Sequence, residues 1–338
     1  MISEEDKKIH INFIFRKQQH SYYSVERVFA DVKKKLSSKI IQKDLYLPYF
    51  SRGIFDRIRN IQYCRKYSKQ INHITGDVNY LASFLPPEST VLTILDCVYQ
   101  FNTSGFKRWF IWFFWYYLPV RMCKHVTAIS EFSKQETVKI TGVDPSKIKV
   151  IYVALPEGFE PHYKVFNSEC PVILHVGNSP NKNLNNLILA LNGINCELWV
   201  VGSLTDENIL KLKDNKVRYQ NYIGLNDAEL IDLYRECDIV SFISLYEGFG
   251  MPVIEGQAIG RPVITSNKGS LPEVAGEAAL VITEPEMPEA IAEGIRKIIS
   301  NSNFREHLIA EGFENVKRFD CRKLAAQYEE IYTQCTFR

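Results

Sequence analysis

Short apolar runs alternate with longer amphipathic stretches along most of the chain, the spacing expected of strands followed by helices. In the first half the runs fall at residues 10–15 (HINFIF), 40–47, 72–75 (NHIT), 90–95 (TVLTIL), 126–130 (VTAIS) and 149–155 (KVIYVAL). In the second they fall at 172–176 (VILHV), 198–201, 238–244 (DIVSFIS), 262–265 and 280–283, with a further strand end at 222–224. Helical patterns at 24–36, 55–69, 131–141, 184–191, 229–237, 288–299 and 322–335 lie between or after them. Short β-branched runs of this kind suit strands buried on both faces of a parallel sheet. Right-handed crossovers then gather the C-terminal strand ends on one edge, where ligands bind.

The stretch that organises this pattern is 244–255, SLYEGFGMPVIE, which follows the run 238–244. Gly248 and Gly250 flank Phe249 and lack a Cβ, so the backbone can turn sharply and present its N–H groups to a ligand. Pro252 suits the first turn of a helix, which sets a positive helix end at 250–253, favourable to phosphate. Glu255 falls one turn inside that helix and Glu247 at the strand end. Two acceptor-only carboxylates beside an anion site call for hydroxyl donors such as ribose or a sugar ring. Val253 stands where a dinucleotide fingerprint wants a small residue, which disfavours hydride chemistry.

Other strand ends supply further candidates. Gly76, Asp77 and Asp96 end the third and fourth runs, with His73 nearby. Lys182, in the loop GNSPNKN after 172–176, is the expected mobile cation for a diphosphate. The turn signals Gly158 and Pro161 mark 156–171 as an interdomain linker. The predicted domains are 1–160 and 161–319, with 320–338 as a helix returning to the first. The loop after the first run, RKQQHSYY, offers His20 and Tyr22.

Composition narrows the class. At 338 residues, 46% hydrophobic and 24% charged, the chain is an ordinary globular protein long enough for two domains. A net charge of +2 does not mark a nucleic-acid binder. Eight scattered cysteines form neither C-x-x-C pairs nor zinc spacings, which predicts free buried thiols. The charged start, MISEEDKKIH, shows no signal-peptide pattern, so a cytoplasmic protein is expected.

One segment departs from the pattern. Residues 105–124 (GFKRWFIWFFWYYLPVRMCK) hold an uncharged aromatic core flanked by Lys107, Arg108, Arg121 and Lys124, and contain Trp109, Trp112 and Trp115. The core is too short to span a bilayer. Aromatic rings with basic flanks suit a helix lying in the headgroup region, so peripheral contact with the inner face of the plasma membrane and a lipid-linked acceptor are expected. The competing reading is a helix packed under the first sheet.

The two glutamates separated by seven residues, with GFG after the first and Pro252 before the second, resemble the E-x7-E motif of the retaining family 4 glycosyltransferases (glycosyl transferases group 1). The likeness continues through Gly260-Arg261-Pro262-Val263-Ile264, Leu271-Pro272-Glu273-Val274-Ala275-Gly276 and Ala278-Ala279-Leu280. It is strong in the second half and weak in the first. It implies an α/β GT-B fold, two Rossmann-like domains with parallel sheets facing across a cleft. The C-terminal domain would bind a nucleotide-sugar and the N-terminal one a glycan or lipid-linked acceptor. By the same resemblance Glu255 would bind the ribose hydroxyls and Glu247 the transferred hexose. Backbone N–H groups of Gly248, Phe249, Gly250 and Met251 would meet the leaving diphosphate, and Gly224 would lie near the base. Asp77 and Asp96 are the remaining candidates for catalysis, and His73 for acceptor contact.

Departures are specific. Asn178 stands near a position that in the family is commonly arginine. Leu95 precedes Asp96 where the family often has histidine, so the donor's own phosphate becomes the candidate acceptor of the incoming proton. No D-x-D occurs, and a metal-independent reaction with no cofactor is expected. Bacterial surface-polysaccharide synthesis, of lipopolysaccharide or capsule, is the implied setting. The rival readings are a GT-B nucleotide-sugar epimerase or hydrolase and a non-catalytic, membrane-associated partner subunit.

Overall fold

The structure is a computed structural model that describes residues 8–18, 24–101 and 103–335; His20 and Tyr22 lie outside them. Among the described residues, twelve strands form two six-stranded sheets whose pairings are all parallel. The first contains β1 (Ile9–Phe15), β2 (Ile40–Tyr46), β3 (Ile71–Ile74), β4 (Thr90–Ile94), β5 (His125–Ala128) and β6 (Ile148–Val150), in the order β2-β1-β3-β4-β5-β6. The second contains β7 (Val172–Val176), β8 (Glu197–Val201), β9 (Arg218–Tyr222), β10 (Ile239–Phe242), β11 (Val263–Ser266) and β12 (Leu280–Ile282), ordered β12-β11-β10-β7-β8-β9. This is a two-domain α/β GT-B fold.

The chain divides into two compact units, Met1–Ala154 with Asp320–Arg338, and Leu155–Phe319. The first division falls six residues before the expected 160/161. The reason is local packing: Phe159 is buried edge-on against Tyr234, with ring centroids 5.3 Å apart. The expected linker is likewise held to the second unit, since the buried Arg261 donates Nη1 to the carbonyl of His162 and Lys164 pairs with buried Asp238. The helix Cys321–Gln334 groups with the first unit.

Alternation along β1 shows how that unit is filled. Ile11, Phe13 and Phe15 join a core cluster with Phe29, Leu324, Tyr328 and Tyr332. Ile14 joins a different cluster, with Ile74, Leu92, Ile94, Trp115 and Tyr116. Successive side chains thus bury against different layers, the period-two behaviour of a doubly covered strand.

His73 corrects an expectation. It is fully buried, with Nδ1 2.7 Å from the Tyr332 hydroxyl and Nε2 2.7 Å from the Thr93 hydroxyl. It faces the C-terminal helix, with no route to an acceptor, and burial pushes its pKa down to about 3.

Two helices lacked a clear signal in the sequence, Asp206–Asp214 and Ser302–Asn315. Each begins with a side-chain cap, Thr205 in the first case and Asn301 in the second, a contribution of about 1 kcal/mol. No helix among the described residues is long and apolar enough to cross a membrane.

Candidate functional site

β10 lies between β11 and β7, so its C-terminal end opens at the middle of the second sheet. The chain leaves it through Ser244 and Glu247 and enters the helix Met251–Ile259 at Gly250. Gly250 has φ +109°, and a Cβ there would sit 2.5 Å from Leu271 Cδ2, so both backbone and space demand glycine. Phe249 is buried and meets Phe319 edge-on at 5.5 Å. Its ring is core, so only its backbone can serve a ligand.

A neighbouring loop fixes the turn, a contribution the sequence did not announce. Ser270 Oγ donates to the carbonyls of Glu247 at 3.1 Å and Phe249 at 2.6 Å. At Gly269, φ +61°, a Cβ would come within 2.6 Å of the Glu247 carbonyl oxygen. The signal for these two residues was only their adjacency to Leu271-Pro272, since the contact joins segments more than twenty positions apart.

Lys182 comes to the same place from β7. Its Nζ lies 2.6 Å from Glu247 Oε1 and 4.5 Å from the Phe242 ring centroid. Gly177, φ +97°, makes room for it: a Cβ there would stand 3.1 Å from Lys182 Cε. Asn181 Nδ2 donates to the Tyr246 carbonyl at 3.0 Å, tying this loop to the turn. Asn183, at φ +64°, anchors the loop's end by donating to the carbonyls of Ile243 and Pro285.

Glu255 is buried, and its Oε2 accepts from the Tyr234 hydroxyl at 2.6 Å. Tyr234 belongs to the helix Asp227–Glu236, which opens with the reciprocal cap between Asn226 and Glu229. Asn178 does not join the Lys182–Glu247 pair through its amide, whose Nδ2 donates to the Ser203 carbonyl. Gly224 follows β9 with φ +71°. Beneath the site, burial and then the nearby Lys182 push His175 down to about 4.

In the first unit Asp77, at φ +60°, pairs with Arg16 and lines a cavity of 300 Å³. Asp96 acts as a cap, with Oδ1 accepting from the Val98 N–H at 2.9 Å, and does not line that cavity. The aromatic segment is one helical rod, α-helical over Gly105–Ile111, π-helical over Trp112–Tyr117 and α-helical again over Leu118–Met122. Three of its expected membrane or acceptor residues make internal contacts, although Arg121 is also exposed. Trp115 is buried and donates Nε1 to the Asp77 carbonyl at 3.1 Å. Trp112 donates Nε1 to the Ile140 carbonyl at 2.6 Å. Arg121 lies 4.5 Å from the Tyr117 ring centroid and donates to the Thr141 carbonyl. Lys107, Arg108, Trp109 and Phe106 are exposed. The segment therefore combines a packed side with an open one.

A larger cavity, 830 Å³, lies at the start of β10 and β11, the edge of the second sheet away from the turn. Its cations are already engaged: Arg261 donates to four carbonyls, and Arg305 donates to two and stacks on Phe166. Size alone does not make it the site. Among the described residues no three His, Cys, Asp or Glu side chains are grouped to hold a metal. All eight cysteines are free, and burial pushes the Cys64, Cys97, Cys123 and Cys237 thiols up to about 12.

The family described as Glycosyl transferases group 1 matches residues 160–315. O-antigen chain mannosyltransferase B of Escherichia coli is 27% identical over 235 residues, 62% of this chain and 60% of that protein. The capsular polysaccharide biosynthesis glycosyltransferase CapM of Staphylococcus aureus is 27% identical over 282 residues, 76% of this chain and 73% of the relative. Among solved structures, Anabaena HepE in complex with UDP and glucose superposes with a TM-score of 0.78 at 16% identity, covering 96% of this chain and 99% of that one. WaaG, a glycosyltransferase involved in lipopolysaccharide biosynthesis, gives 0.71 at 15% identity over 96% and 99%. The chain has a GT-B fold, and the stretch similar to the glycosyl transferases group 1 family, residues 160–315, falls within its second unit.

Proposed function

We propose that the chain is a retaining, metal-independent glycosyltransferase. It would move a hexose-type sugar from a UDP- or GDP-sugar to a lipid-linked glycan acceptor in bacterial surface-polysaccharide synthesis, at the inner face of the plasma membrane. The observation that carries this reading is the Lys182–Glu247 pair, 2.6 Å apart beside the glycine-opened start of the helix Met251–Ile259. The likeness to O-antigen and capsular enzymes, and the UDP held by HepE, support it.

In this reading an incoming diphosphate competes with Glu247 for Lys182. The ammonium turns to the phosphates, and the released carboxylate accepts from hydroxyls of the donor hexose. Backbone N–H groups of 248–251 meet the remaining negative charge, where preorganised donors matter most. Glu255 accepts from the ribose hydroxyls, its carboxylate held by Tyr234. The bond from the anomeric carbon to the phosphate oxygen breaks, and a bond to the acceptor oxygen forms on the same face. With Leu95 where a histidine could have served, the acceptor proton passes to the departing phosphate.

Glu247→Ala and Lys182→Ala should each lower sugar transfer from the labelled donor to a membrane lipid extract by about 10²- to 10³-fold, the usual loss for one preorganised charge-stabilising group. Transfer undiminished in both variants would overturn the proposal.

A further inference from the structure

The 300 Å³ cavity of the first unit has a composition of its own. Arg16, Lys17, Arg57 and Lys107 line it, against Asp77 as its single carboxylate. Asp77 is already matched by Arg16. Lys17, Arg57 and Lys107 form no ion pair among the described residues, so the cavity presents uncompensated positive charge. Its walls are aromatic. Trp115 and Tyr99 line it, the Arg57 guanidinium stands 4.8 Å from the Trp115 ring centroid, and Lys17 Nζ lies 4.6 Å from that of Phe50. Asp77 and then burial push the Tyr99 hydroxyl up to about 12, so it stays a donor at neutral pH. Burial lowers Arg57's pKa, a cost that an anion alongside would offset.

The surroundings say what carries the anion. Arg57 lies on the helix Gly53–Arg65, whose first turns expose Ile54, Phe55 and Ile58. Phe55 is 80% exposed and Ile54 66%. The same guanidinium lies 5.3 Å from the Phe110 ring centroid, which brings this helix against the aromatic rod. That rod exposes Phe106 at 77% and Trp109 at 49%, stacked on each other at 5.6 Å. Large apolar side chains left open on two adjacent helices, around a cationic cavity, match an amphiphile with a phosphate head.

We propose that this cavity is the seat of a lipid-borne phosphate, with Lys17, Arg57 and Lys107 on the phosphate and the exposed ends of the two helices against the hydrocarbon. The inference rests on the reading of the first unit as the acceptor side, and it assigns that acceptor its chemical class. It also gives the helix Gly53–Arg65 a membrane role.

The test uses the full chain with vesicles of phosphatidylcholine, with and without phosphatidic acid, and separately with inorganic phosphate. Co-sedimentation should require phosphatidic acid and weaken by roughly tenfold or more in the Lys17→Gln/Lys107→Gln variant, as expected for two lysines at an anionic surface. The Lys39→Gln/Lys69→Gln variant, with the same charge change at the opposite edge of the sheet, should bind as the parent does. Equal weakening in both variants would reduce the effect to diffuse charge and overturn the proposal. So would binding of inorganic phosphate alone, or no binding to either kind of vesicle. Nucleotide binding by the second unit, followed in the same variants by thermal shift, should be unchanged. A parent chain that binds the vesicles but no nucleotide would contradict the transferase reading and leave the cavity assignment standing.

Discussion

Individual residues show how little freedom the turn has. At Gly250 the left-handed backbone and the Leu271 side chain both exclude a Cβ. Gly250→Ala should therefore cost about 1–3 kcal/mol of stability and weaken nucleotide binding, read as a lower urea midpoint and a smaller ligand shift. His73 gives a pH prediction. The unfolded chain takes up its proton near 6.5, but the folded imidazole does so only at about 3. Between those values the unfolded state holds the extra proton. Stability is thus full above about pH 6.5 and falls on acidification towards 3, by up to ~1.4 kcal/mol per pH unit for each such histidine. His175, pushed down to about 4, adds the same trend in the second unit. Urea midpoints between pH 7 and pH 5 should show the slope, and His73→Gln should flatten it in the first unit; an unchanged slope would refute the assignment.

Among the elements, the aromatic rod separates packing from exposure. Trp115→Ala removes a buried ring and a hydrogen bond to Asp77 and should destabilise by about 3–5 kcal/mol. Trp109→Ala, half-exposed, should stay within roughly 1 kcal/mol of the parent. Chemical denaturation of the two variants checks the contrast. The sequence showed that this segment was unusual but could not sort its rings, because the π-helical turn at Trp112–Tyr117 shifts the angular spacing on which an amphipathic reading depends. Strands were legible for the opposite reason. The apolar, β-branched run of β7 leaves no alternative phase, and its expected and observed bounds coincide. In the second unit the expected site residues Lys182 and Glu247 came together because strand ends share one edge. Long-range hydrogen-bond partners stayed hidden. Nothing local marks Ser270 as the support of Glu247, or Tyr332 as the partner that takes His73 into the core.

For the molecule as a whole, two units with separate sheets and separate cores imply two sources of cooperativity. A nucleotide held by the turn after β10 should stabilise the second unit, Leu155–Phe319, directly. Hydrogen exchange should show added protection there and none at β1 to β6. The deciding measurement is thermal-shift titration of the purified chain with UDP, GDP, ADP and their sugar conjugates, without added metal. One nucleotide near 100 times its dissociation constant should stabilise by about 2.7 kcal/mol, and Glu255→Ala should abolish the shift. No response to any nucleotide, or an equal response in Glu255→Ala, would contradict a nucleotide-sugar site at this turn.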